Sequence, residues 1–360
     1  MNPVPVTSSR RTARARGRVA AALACALLLS GCGLRFDSAP PTEPVPDPIE
    51  IVRRTAVDDA LHVAEQADAV AGLDATKPEV AEALSDIAEI SRQHADQLGG
   101  VYESGLELEL PSPTPSDVAE TTPEVAEVLI TLTDAAARSA TAADVCEDGP
   151  LARLLASISA AQTLSVRKLA DVTGEQGPEF TEPLVPGAAE LPATPSATAE
   201  GTGPSDGTAS LTPSTRPTAP PGGLSDDDLV AVVLAEDSSA YALEVGAART
   251  DQEKARDRLA DRALTHRRRA EDWARFAGID GTEKDPRRAA YELPSPDATG
   301  KELLLEAENG LAADYANLVG LAEEDTRSSA VALLTDSAIT RNSWGAPITP
   351  FPGLPEQASS

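Results

Sequence analysis

Residues 225–278 read SDDDLVAVVLAEDSSAYALEVGAARTDQEKARDRLADRALTHRRRAEDWARFAG, and two helical patterns follow one another in them. In the first, Leu229, Val233, Glu236, Ala240, Leu243 and Ala247 recur at steps of four and three; in the second, Leu259, Ala263, His266, Ala270, Trp273 and Ala277 do the same. Each apolar stripe thus carries one ionisable residue, and the pattern aims Glu236 and His266 inward. Ser225 ahead of Asp226, Asp227 and Asp228 reads as a capped helix start, with acids in the first turn complementing the helix dipole rather than binding calcium. A faded copy of the inward pair, Glu65 and His94, lies upstream.

That copy is one landmark of an internal repeat. Ala64-Glu65 aligns with Ala235-Glu236, His94 with His266, ELPSP at 109–113 with ELPSP at 292–296, and Leu154-Leu155 with Leu333-Leu334, all in order. The spacing widens only where the second copy inserts IDGTEKDPRRA at 279–289. Four helices are expected in each half. In the first they open at Asp47-Pro48, at a Thr76 capping box, at Thr122-Pro123-Glu124 and after Gly149-Pro150; in the second at Ser225, Thr250, Thr299 and Thr326. With strand patterns essentially absent, the fold class is all-α: two tandem four-helix bundles joined by a disordered Pro/Thr/Ser-rich linker. The expected division is a leader at 1–31, a tether at 32–46, a first bundle at 47–173, the linker at 174–224, a second bundle at 225–356 and a tail at 357–360. Aromatic residues are only 3% of the chain, so the helices are expected to pack closely through alanine.

The beginning of the chain carries an address. Five arginines between Arg10 and Arg18, an apolar run from Val19 to Leu29 and then small residues have the order of a secretory leader, and the run is too short to span a bilayer comfortably. Leu29-Ser30-Gly31-Cys32 resembles a bacterial lipobox, which implies that Cys32 becomes a lipidated first residue on the outer face of the cytoplasmic membrane. Cys25 is then lost with the leader and Cys146 is left without a disulfide partner. A net charge of −28 disfavours nucleic acid, because phosphate binding needs cations to displace counterions.

The strings AEDSSAYALEVGAA, HRRRAEDW, AAYELPSP, LEAENGLAADYANLV and FPGLPE resemble the actinobacterial ferritin-like DUF4439 domain over about Leu224 to Glu356. The resemblance implies a ferritin-like four-helix bundle without an assigned reaction, and makes the first half a diverged copy. Complete di-iron sites in such bundles take a Glu from each of two helices and a Glu-x-x-His from each of the others. Here Glu236, His266 and Glu308 are available, but Ala263 stands three residues before His266, Ser91 three before His94, and Arg341 occupies the stripe of the last helix.

Three readings follow for these residues: a buried network in which Arg341 supplies the charge a metal would bring, a degenerate iron or manganese site, or simple exposure. Glu65 and His94 are their diverged equivalents. Arg267-Arg268-Arg269 reads as a solvated face, His62 as a surface residue, Tyr241, Tyr315 and Trp344 as core, and Cys146 as a small buried side chain. No cofactor is expected. The functional expectation is a non-catalytic envelope lipoprotein, bound to the membrane through its lipid and to an unidentified envelope protein or ligand, with the linker setting an adjustable separation between bundles. The alternatives are a metal-binding ferritin-like protein with redox or iron-binding activity, and a small-ligand protein using a bundle cavity.

Overall fold

A computed structural model describes residues 43, 45–104, 123–187, 221–293 and 295–357. The chain divides into two units, Met1–Val45 with Ser104–Ser112, and Pro46–Glu103 with Pro113–Ser360. The second carries eight α-helices among the described residues, and no strand. They are α1 Pro48–Ala71, α2 Pro78–Gln97, α3 Val125–Val145 and α4 Gly149–Thr173 in the first half, then α5 Asp226–Ala248, α6 Glu253–Phe276, α7 Gly300–Leu321 and α8 Thr326–Ser343. No described helix is long and apolar enough to cross a membrane. Cys32 and the leader lie outside the described residues.

Local chemistry sets most of the helix starts. Asp47 and Asp148 accept the N–H of Glu50 and Leu151, and Ser225 and Thr299 form reciprocal capping boxes with Asp228 and Glu302. Two expected caps are corrected. Thr76 does not open α2 but donates its hydroxyl to Val70 O, and Thr250 does not open α6 but donates to Gly246 O. Each adds a second hydrogen bond to a carbonyl in the last turn of the preceding helix, beside the N–H of Leu73 and of Arg249, so these threonines close helices rather than start them.

Each half is a four-helix bundle with one crossover. The hairpins α1–α2 and α3–α4 pair through α1 against α3 and α2 against α4. Val52 near the start of α1 lines one groove with Val145 at the end of α3, and Val70 near the end of α1 lines another with Val125 at the start of α3, so these two helices are antiparallel. Arg138 and Asp59 pair across their middles at 2.8 Å. With α2 antiparallel to α1 as well, α2 ends and α3 begins at opposite ends of the bundle, which is the ferritin-like connectivity. In the second half α5 and α7 are antiparallel too: a Cβ on Gly300 would come within 2.9 Å of Gly246 O, so glycine permits their close approach. By contrast α6 stands off from α8, and long polar side chains bridge them.

The bundles are not held apart by a spacer. One core cluster runs from Val57 and Leu155 in the first half to Leu229, Tyr315 and Leu333 in the second, with α4 packed on α7 and α8. At the seam a Cβ on Gly149 would fall 2.3 Å from Gly320 O, so only glycine fits the start of α4 there. Arg327 of α8 donates to Asp144 O, Cys146 O and Ala322 O, gathering the carbonyl ends of α3 and α7. The expectation of an adjustable separation is therefore corrected. Most of the residues 174–224 read as linker lie outside the described ones, but Val185 and Leu224 near its two ends are buried in the shared core. These are large apolar residues in a Pro/Ser/Thr-rich stretch, and burying them offsets the ordering of the backbone around them.

Each half also sends the segment after its last helix onto the other. Glu182, beyond α4, lies 3.3 Å from Arg268 on α6. Beyond α8, Pro350 O accepts from His94 on α2 at 2.8 Å, Pro352 O accepts from Ser157 on α4 at 2.7 Å, and Glu356 pairs with Arg153 at 2.5 Å. The FPGLPE string is thus an interlock between the halves.

Candidate functional site

The interior of the second bundle holds a continuous polar network. Glu236 on α5, His266 on α6 and Glu308 on α7 are all fully buried. His266 sits between the two carboxylates, with Nδ1 2.6 Å from Glu236 Oε2 and Nε2 3.1 Å from Glu308 Oε1. Both ring nitrogens therefore donate, and the ring is an imidazolium. Burial and Arg262 oppose that charge, but Glu236 and Glu308 outweigh them and raise its pKa.

Arg262, one turn before His266, grips Glu308 through Nε at 2.5 Å and Nη2 at 2.8 Å and reaches Asp336 on α8 through Nη1 at 2.7 Å. Burial works against ionisation of Glu308, yet Arg262 and His266 hold its carboxyl well below the usual carboxylate range. Arg269 Nη2 comes within 2.8 Å of Asp336 Oδ2, close enough for an ion pair but out of line for a hydrogen bond, and its remaining N–H groups meet no acceptor among the described residues. Tyr315 donates its hydroxyl to Glu236 Oε1. Burial and the Glu236 charge push that phenol up, so it stays protonated.

The structure brings together three of the four residues expected to form the site and moves the fourth to its margin. Arg341 is half-buried, its Nε has no partner, and burial lowers its pKa against the pull of Glu308. The compensating charge comes instead from Arg262 and Arg269. Both lie on the stripe of His266 and Trp273, at the spacing 262, 266, 269, 273, which the sequence displays and which would have found them. Arg269 is thereby corrected from a solvated position to a buried one; Arg267 and Arg268 keep exposed partners in Glu244 and Glu182. Asp336 and the hydroxyl role of Tyr315 were not read from the sequence.

The proposed equivalents in the first bundle do not meet. Glu65 is exposed, while its neighbours Val63, Ala64 and Ala67 fill the interior. The Ala-Glu pair matched as letters, but the buried stripe of α1 runs through Ala64. His94 is fully buried and finds no carboxylate. It donates Nε2–H to Pro350 O and packs edge-on against Phe351 at 5.4 Å between ring centroids. Burial lowers its pKa to about 4, so it is neutral. His266 thus serves an ion network in the second bundle, and His94 an interlock in the first.

Around the network, Asp237 anchors the crossover of the second bundle: it accepts from Tyr291 Oη at 2.6 Å and from Arg288 N at 3.1 Å, and pairs with Arg267 at 2.5 Å. Cys146 is buried, donates to Asp148 O and has its thiol pushed up by burial, which makes it a poor nucleophile. His62 is exposed beside Gln66.

A metal in this interior would need carboxylate and imidazole lone pairs. His266 has none free, both oxygens of Glu308 receive Arg262, and those of Glu236 receive His266 and Tyr315. Three cations, Arg262, His266 and Arg269, already face three carboxylates, Glu236, Glu308 and Asp336. The residues do not fit a ferritin-type di-metal centre, because the charge and the donors that would hold it are spent on one another.

Fold and site define a class: an all-helical protein of two fused bundles with ferritin-like connectivity, one of them built on an internal ion network. Residues 229–356, which span the second bundle and the interlocking segment, match the family model described as Domain of unknown function (DUF4439). No curated protein and no solved structure matches the chain.

Proposed function

We propose that the protein is a lipid-anchored, extracytoplasmic module with a binding or scaffolding role rather than a catalyst. The observation that carries the non-catalytic half of this reading is the network itself. His266, Glu308 and Tyr315 are each held in one protonation state by buried partners, and no activated nucleophile stands beside them among the described residues. The shared core supports a scaffold, since it fixes the surfaces of both bundles in one frame.

The anchoring half rests on the order of arginines, apolar run and Leu29-Ser30-Gly31-Cys32. Two acyl chains on Cys32 would hold the protein stably on the membrane, and the net charge of −28, which becomes −33 once the leader's five arginines are gone, would stand its body off anionic headgroups. Feeding cells an alkyne fatty acid tests it: the wild-type chain takes up the label and sediments with membranes, whereas Cys32→Ala does neither. An unlabelled wild-type chain would contradict the anchor.

A further inference from the structure

On the seam between the bundles lies a cleft of about 450 Å³, floored by Ala136 and Ala140 of α3, walled by Val331 and Ala332 of α8, and flanked by Phe180 beyond α4. Small side chains on two helices create it, and its lining is predominantly apolar. Its charged lining groups are Asp144, Arg167 and Glu179. Asp144 accepts the Asp325 N–H at 3.2 Å, and Glu179 is exposed. Thr133 and Thr163 in the lining donate their hydroxyls back to Leu129 O and Ser159 O.

Arg167 is different. The other arginines of the first bundle each hold a carboxylate: Arg53 and Arg54 hold Glu50, Arg92 holds Asp68, Arg138 holds Asp59 and Arg153 holds Glu356. Arg167 is half-buried and makes no ion pair or side-chain hydrogen bond among the described residues, in a chain where acids outnumber bases 58 to 30. An apolar trough beside an unpaired guanidinium is complementary to one kind of molecule, an alkyl chain ending in a carboxylate, which the guanidinium fork matches.

We propose that this cleft binds a fatty carboxylate, its chain lying against Ala136, Ala140, Val331 and Ala332 and its head paired with Arg167. The proposal rests on the binding role above and names the ligand class for it. The test uses the Cys32→Ser chain, which carries no lipid and keeps every other residue, titrated calorimetrically below micelle formation with dodecanoate and with dodecyltrimethylammonium. Dodecanoate is expected to bind at one site and more tightly than the cation, against the sign of the net charge. Arg167→Glu should invert that order. Ala332→Phe, which fills the trough, should weaken dodecanoate by at least about tenfold, or ~1.4 kcal/mol, without changing the circular-dichroism melting curve. Equal or tighter binding of the cation to the unsubstituted chain overturns the proposal, as does an Ala332→Phe variant that binds dodecanoate as before. Absence of any binding also overturns it, while leaving the anchored-scaffold reading to the Cys32 labelling.

Discussion

Replacing Arg262 by methionine is expected to destabilise the second bundle by about 3–5 kcal/mol, the loss typical of removing one partner from a buried ion pair. The side chain is only 11% exposed and neutralises two carboxylates at once, Glu308 at 0% and Asp336 at 10% exposure. Without it, among the described residues, Glu308 keeps the hydrogen bond of His266 and Asp336 keeps the poorly aligned Arg269. The stem of methionine preserves most of the packing, so the loss reports the charge. Arg341→Leu is the matched control: that guanidinium is half-buried, feels Glu308 only at longer range and forms no ion pair among the described residues, and its removal should change stability by less than about 1 kcal/mol. Urea unfolding followed by circular dichroism measures both. The reverse order, with Arg341→Leu the more damaging, would place the compensating charge at the wrong arginine.

Replacing Gly353 by valine should cost about 2–4 kcal/mol and free the C-terminal segment. Gly353 adopts φ +77, and a Cβ there would stand 2.5 Å from Ala312 O and 2.8 Å from Leu334 Cδ1. The backbone conformation is strained for any L side chain, and the obstacle is main chain of α7, which cannot move aside cheaply. Lifting the segment also strips His94 and Ser157 of their acceptors and exposes Leu354. Urea unfolding gives the energy, and limited proteolysis around residues 346–357 gives the location. A Gly353→Val chain of unchanged stability and unchanged cleavage would contradict the interlock.

What the sequence revealed and what it hid follow the range of the interactions. Asp47, Asp148, Ser225 and Thr299 cap helices through groups three residues away, so their roles could be read locally. Thr76 and Thr250 are the same residue type between helices, and whether they turn forward or back depends on carbonyls that the string does not rank. Periodicity placed Glu236, His266 and Glu308 inside because each interrupts an apolar stripe. Arg262 and Arg269 share the stripe of His266, but charged residues are ordinarily assigned to the solvated face, and with Asp336 they turn inward where α6 stands off from α8. Glu65 misled through a match of letters one position out of register with the buried stripe. Fusion of the bundles rests on Gly149 against Gly320, Arg327 on the ends of α3 and α7, and Val185 and Leu224 in the core, contacts between residues far apart in the chain and without a local pattern.

The central claim is that the interior of the second bundle is a self-neutralised network in place of a metal centre. Elemental analysis of the purified chain, expressed with iron and manganese in the medium and compared with Glu308→Ala, tests it most directly. The account predicts far less than one ion per chain in both. One or two iron or manganese ions per chain, lost in Glu308→Ala, would contradict it.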